Sequence, residues 1–278
     1  MNHYDASGST QNPIRLIGLP TDSNSSFLRG PAKAPAAIRS ALFSDAGNSA
    51  SESGAEIGRE IIYDDIGDLD LCEAPSDDAM IEQSVAKAIG DGFIPLLLGG
   101  DHSVTYPVLR AIAAAHGPVE ILHFDAHPDL YDELNGNRRS HASPFARIME
   151  EGLARRLVQV GIRTLNNHQR EQAARFGVEI VGMRDFEPAA VPPMRGPTYV
   201  SIDLDCLDPA YAPGVSHHEP GGLSVRSLLD VLHRIDVQVV GGDVVELNPD
   251  RDINGMTAVV AAKLVKELSA IMALKRSP

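Results

Sequence analysis

The stretch Phe93-Ile94-Pro95-Leu96-Leu97-Leu98-Gly99-Gly100-Asp101-His102 decides how the chain is read. Its first six residues are apolar without interruption. A strand exposed on one side alternates apolar with polar, so this run describes a strand buried on both faces, as in a parallel sheet covered by helices. Two glycines then let the backbone approach a neighbour closely. A carboxylate and an imidazole follow at the carboxyl end of the strand. Directly after them begins a helical pattern over 103–116, opened by Ser103.

The same arrangement recurs along the chain. Strands are expected at 14–19, 61–63, 93–98, 119–124, 157–160, 178–181, 198–202 and 237–245, the second of them weak. Helical patterns fall between them at 34–43, 81–89, 103–116, 144–152, 168–176 and 225–235, and a last one covers 256–274. Alternation of this kind implies an α/β fold: one parallel eight-stranded sheet with helices on both faces, in three α/β/α layers. A (β/α)8 barrel is the competing layout. No linker divides the chain, so 13–278 reads as one domain. Residues 1–12 are polar and read as a disordered N-terminal segment, and the Ser-, Ala- and Gly-rich stretch 45–58 as a surface loop.

Composition removes several classes. Lysine and arginine number 24 against 38 aspartates and glutamates, a net charge of −14. A nucleic-acid partner needs a basic face, so none is expected. No apolar run reaches the length of a membrane span, and the N-terminus lacks a basic-then-apolar signal pattern. Two cysteines, Cys72 and Cys206, are too few for a disulfide framework and lead us to expect a reducing, cytoplasmic setting.

Ligand-type residues gather after four of the strands: Asp101 and His102; Asp125, His127 and Asp129; Asp203 and Asp205; and Glu246. At strand spacing, residues i, i+2 and i+4 project to one side, so Asp125, His127 and Asp129 converge on a small volume. Asp203 and Asp205 repeat the pattern, and two carboxylates this close repel unless a cation lies between them. Taken singly, each cluster also fits a solvated polar turn or a helix cap. His123 has the opposite parity and reads as a core histidine or one supporting a ligand. Cys206 reads as a small packing residue and Asp208 as a loop-fixing acid. Jointly, carboxylates and imidazoles at strand ends of one α/β sheet favour hard divalent cations over structural zinc, and ligands of such sheets bind at the carboxyl ends.

Three ordered motifs carry a resemblance: Gly99-Gly100-Asp101-His102-Ser103, Asp125-Ala126-His127-Pro128-Asp129, and Ser201-Ile202-Asp203-Leu204-Asp205-Cys206-Leu207-Asp208-Pro209. They resemble the ureohydrolase, or arginase/agmatinase, family over nearly the whole chain. The resemblance implies a manganese-dependent hydrolase with two Mn²⁺ per chain. One would be held by His102, Asp125, Asp129 and Asp203, the other by His127, Asp125, Asp203 and Asp205. It also implies that Asp129 orients the attacking hydroxide, that His141 shuttles a proton, and that Glu246 pairs with the guanidinium. Family members assemble as trimers or hexamers, so a homo-oligomer is expected.

Animal-type arginases carry an asparagine soon after the second motif; here Tyr131 stands in that place, as in agmatinases. The stretches Ser140-His141-Ala142-Ser143-Pro144 and Ala212-Pro213-Gly214-Val215-Ser216-His217 look most like plant-type arginases. The implied reaction is L-arginine to urea and L-ornithine, and the alternative is agmatine to putrescine and urea, or another guanidino acid. Candidates near the substrate are Asn137, Ser140, Asn166, Glu219 and Glu246. Arg138 or Arg163 would suit the carboxylate of arginine, and Asp132 or Glu133 the ammonium of agmatine. A two-metal phosphoesterase and a non-catalytic metal-binding relative are the remote alternatives.

Overall fold

The computed structural model describes residues 12–273. Eight strands, β1 (Ile14–Gly18), β2 (Tyr63–Asp68), β3 (Ile94–Leu98), β4 (Val119–Phe124), β5 (Ala154–Ile162), β6 (Glu179–Gly182), β7 (Thr198–Asp203) and β8 (Val239–Val245), form one sheet in the order β2-β1-β3-β8-β7-β4-β5-β6. Every neighbouring pair is parallel. β2 and β6 are its edges, so the sheet is open and the barrel alternative falls. These two strands are the least suited to burial. β2 reads Tyr63-Asp64-Asp65-Ile66-Gly67-Asp68, β6 has only 4 residues, and no residue of either is fully buried.

Among the described residues seven α-helices cover the sheet: α1 (Ala34–Leu42), α2 (Asp77–Gly90), α3 (Thr105–His116), α4 (Pro144–Glu150), α5 (Asn167–Phe176), α6 (Val225–Leu232) and α7 (Met256–Ala273). Strand parity distributes the core between them. Leu96 and Leu98 pack in one layer with Ile38 of α1, Leu228 of α6 and Leu264 of α7. Leu97 packs in the other with Val85 of α2, Ile112 of α3 and Phe145 of α4. Each buried leucine contributes about 1.5–3 kcal/mol, and neither face tolerates a polar residue here, which is why the run in β3 is unbroken.

Element boundaries differ from expectation where side chains answer to ion pairs instead of burial. The weak strand expected at 61–63 is instead β2, which runs on through three aspartates. Arg15 bonds Asp64 at 2.7 Å, and Arg39 bonds Asp65 and Asp68, so an acidic edge is tolerated. α2 begins four residues earlier than 81, with Asp77 and Asp78 in its first turn, where the helix dipole favours carboxylates. The stretch 45–58 forms turns and bends, tied down by Arg226 and Lys263 on Glu52. Residues 1–11 of the segment expected to be disordered, and Leu274 of the last helical pattern, lie outside the described residues.

The strand order has one functional consequence. β3, β8, β7 and β4 are consecutive in the middle of the sheet. Their carboxyl ends lead into His102, Glu246, Asp203 and Asp125, so four positions far apart in sequence meet at one rim.

Candidate active site

At that rim the Nδ1 of His102 lies 3.3 Å from Asp125 Oδ2, 3.1 Å from Asp129 Oδ2 and 3.3 Å from Asp203 Oδ2. The Nδ1 of His127 lies 3.4 Å from Asp125 Oδ1 and 3.0 Å from Asp205 Oδ2. Asp125 therefore turns one oxygen to each histidine. The second oxygens of Asp203 and Asp205 are held by the chain itself: Asp203 Oδ1 accepts the Asp205 N–H at 2.8 Å, and Asp205 Oδ1 the Ala126 N–H at 3.1 Å. All six residues expected to hold metal are brought together. For Asp203 the close imidazole is His102.

Backbone geometry permits this convergence at a cost. A Cβ on Gly100 would stand 1.7 Å from the Thr21 carbonyl oxygen, so only glycine lets the end of β3 pass there. Asp129 (φ 49°) and Glu246 (φ 65°) both adopt the left-handed region. Strain of this kind costs about 1–3 kcal/mol per residue and gathers at functional sites.

A further layer of side chains fixes the ligands. His102 Nε2 donates to Ser201 Oγ at 2.9 Å, and Ser201 donates to Asp243 Oδ1 at 2.6 Å. Tyr199 and Thr105 each donate to Asp243 Oδ2 at 2.7 Å. This chain sets the tautomer with hydrogen on Nε2 and turns the Nδ1 lone pair to the carboxylates. His123 Nε2 donates to Asp125 Oδ2 at 2.9 Å, while its Nδ1 accepts from Gln159 Nε2 at 3.0 Å. Both ring nitrogens are thus occupied, so His123 supports Asp125 and is not itself a ligand. Asp101 does not touch the His102 ring; it accepts Ser103 and Asn24 N–H groups. Asp208 accepts the N–H groups of Ala210 and Gly221 and fixes its loop. Cys206 is buried in the core, and both cysteines are free.

The electrostatics of the cluster call for added positive charge. Burial, then Asp205 and Asp125, push the Asp203 carboxyl well above its usual range, and burial also raises Asp205 against the pull of His127. Burial disfavours a charged His102, yet Asp125, Asp129 and Asp203 outweigh it and hold the ring well above its usual range. Nevertheless His102 Nδ1, fully buried, makes no hydrogen bond. An oxygen-rich set with an orphaned imidazole nitrogen fits divalent cations, which satisfy the same atoms without protonating them.

Above the cluster opens a cavity of about 440 Å³. His127, Asp129, Asp203, Asp205, His141 and Glu246 line it, with His217, Ser26, Tyr131, Thr164, Asn166 and Gln169 among the others. His141 Nδ1 lies 2.9 Å from Glu246 Oε1 and its Nε2 lies 2.8 Å from Ser26 Oγ. Burial opposes the charge of this ring, but Glu246 prevails and raises it to about 9. His217 stands 5.1 Å from His141 between ring centres.

Of the residues expected near the substrate, Asn166 lines the cavity but is already engaged: its Oδ1 accepts the Gln169 N–H at 2.9 Å and its Nδ2 donates to Tyr131 at 2.6 Å. Asn137, Ser140 and Glu219 lie outside the lining. Asn137 bonds Asn24, and Ser140 Oγ accepts the Ala142 N–H. Arg163 is consumed by backbone carbonyls, among them Asp205 at 2.7 Å and Glu219, and so braces the ligand loop. Arg138 pairs with Asp132 and Glu150. No lysine or arginine is among the lining residues, so the cavity offers a phosphate neither a guanidinium nor an ammonium. Gln159, Asp243 and Gln169 escaped the sequence reading, and Ser201 stood in it as the first residue of the third motif without a role. Asp243 left a signal there, as a lone charge inside the apolar run of β8.

The profile described as the Arginase family matches residues 12–270. Arginase 1, mitochondrial, of Arabidopsis thaliana is 51% identical, over 95% of this chain and 82% of its own. Agmatinase, mitochondrial, of Gallus gallus is 34% identical, over 92% and 80%. The solved structure of arginase from Medicago truncatula superposes with a TM-score of 0.88 at 47% identity, covering 94% of this chain and 87% of that one. The cytoplasmic setting expected from the cysteines is overturned here, because the Arabidopsis relative is named mitochondrial. Free thiols argue only against oxidising compartments and do not separate cytoplasm from an organelle interior. Motifs, sheet and similarity over nearly the full length agree: this chain belongs to the arginase family.

Proposed function

We propose that the protein hydrolyses the guanidino group of L-arginine to urea and L-ornithine, with two Mn²⁺ as its metals. The observation that carries this reading is Asp125, one carboxylate facing two histidines beneath a cavity that also holds the His141–Glu246 pair. His102, Asp125, Asp129 and Asp203 would hold one ion, and His127, Asp125, Asp203 and Asp205 the other. Such a pair, when bound, supplies the Lewis acidity that makes water a nucleophile near neutral pH.

The chain's own groups do the rest. Glu246 Oε1 is engaged by His141 and by the His102 N–H, and its second oxygen is left to pair with the planar guanidinium. Asp129 accepts a hydrogen bond from the attacking water and aims it at the guanidinium carbon. The carbon–nitrogen bond to the ornithine side breaks, and the departing nitrogen takes a proton from His141. Chains of this kind assemble as homo-oligomers in this reading, as trimers or hexamers; Ile253, in the loop before α7, and Met256 and Val259, in its first turn, are exposed and support a contact surface.

The test compares urea release from L-arginine, agmatine and a guanidino acid lacking the α-amino group. Highest kcat/KM on L-arginine supports the reading, and exclusive cleavage of agmatine contradicts it.

A further inference from the structure

The lining of the cavity divides by chemistry. Its carboxylates, Asp129, Asp203, Asp205 and Glu246, all belong to the cluster or to the guanidinium pair. One part of the remaining wall, Tyr131, Leu134, Thr164, Leu165, Asn166 and Gln169, carries no carboxylate. A substrate whose guanidinium meets Glu246 presents its other end to that second wall. Agmatine would bring an ammonium there, and L-arginine a carboxylate as well.

This wall keeps two groups free to donate. Thr164 is spent on the Ala126 carbonyl and Asn166 on Gln169 and Tyr131. Gln169 is only 4% exposed. Its Oε1 accepts the Asn166 N–H at 3.4 Å, and its Nε2 has no hydrogen-bond partner among the described residues. Tyr131 accepts from Asn166 through its hydroxyl oxygen and keeps its own O–H to give, while its ring is stacked on His168 at 5.7 Å. Asn166 and Gln169 are also the N-cap and third residue of α5, the helix end that favours an anion. The nearby Asp132 is committed to Arg138 and Arg147.

We infer that Gln169 and Tyr131 read the α-carboxylate of the substrate, and that this wall selects L-arginine over agmatine; the inference rests on the arginine reading above. Gln169→Glu tests it, because glutamate serves the same capping position while replacing the free N–H by a carboxylate. The variant is expected to raise KM for L-arginine by about tenfold or more, to leave kcat within about twofold, to improve agmatine relative to L-arginine, and to weaken inhibition by L-ornithine in parallel. Tyr131→Phe is expected to raise the same KM and provides a second reading should Gln169→Glu fail to fold. Unchanged KM for L-arginine and an unchanged arginine-to-agmatine ratio in the variants would overturn the inference alone. A wild-type protein that releases no urea from L-arginine would overturn the arginine reading, and this inference with it.

Discussion

Glu246 Oε1 accepts from His141 Nδ1 at 2.9 Å and, at the same distance, from the backbone N–H of His102. One oxygen thereby ties the proton donor to the loop that carries a metal ligand. Glu246 stays ionised, since burial raises its carboxyl but His141 outweighs that and lowers it.

The pair fixes a pH dependence. His141 titrates at about 9, above its ordinary value, because Glu246 attracts the charge that burial opposes. A raised folded-state value means that the stabilisation is complete below the unfolded value of about 6.5 and is lost as pH rises through about 9. An NMR titration of the metal-free protein is expected to show this ring titrating near 9, and Glu246→Gln to move it down. An unshifted ring in the wild type contradicts the pairing.

His141→Ala removes the proton donor without touching a metal ligand. Urea release is expected to fall by about 10²–10⁴-fold while metal content stays at the wild-type level. An unchanged rate would end the role assigned to His141.

Asp243 never reaches the cavity, yet it is the end of the chain that starts at His102 Nε2. Asp243→Asn cannot accept from Ser201, Tyr199 and Thr105 with two equivalent oxygens, so the His102 tautomer loosens. Metal affinity is expected to drop by about 10–100-fold, measured as a dissociation constant. Ser201→Ala is expected to move it in the same direction, and unaltered affinity in both variants would refute the positioning role.

Asp125 faces both histidines, whereas Asp205 faces only His127. Asp125→Ala is therefore expected to lose both ions and Asp205→Ala chiefly one, as counted by metal analysis of the purified variants. Retention of both ions by Asp125→Ala would contradict the shared-ligand geometry.

What could be read from sequence follows from how local each signal is. The run through Leu96, Leu97 and Leu98 announces a strand buried on both faces because burial acts on every residue. Asp125, His127 and Asp129 announce convergence because strand spacing alone brings them together. Partners distant in sequence are silent. Nothing near Arg163 says that its guanidinium is consumed by the carbonyls of Asp205 and Glu219, and nothing near Asn166 says that Tyr131 occupies its amide. An acidic edge such as β2 hides for the same reason, since the arginines that make it tolerable, Arg15 and Arg39, come from β1 and α1. Compartment was misread because Cys72 and Cys206 report on redox state and not on address.

The central claim is a pair of cations gathered by β3, β4 and β7, and the most direct measurement is urea release from L-arginine alongside metal content, before and after chelation. The account predicts about two divalent ions per chain, loss of activity as they are removed, and recovery when Mn²⁺ is restored. Active protein free of divalent ions, or undiminished cleavage after thorough chelation, would contradict it.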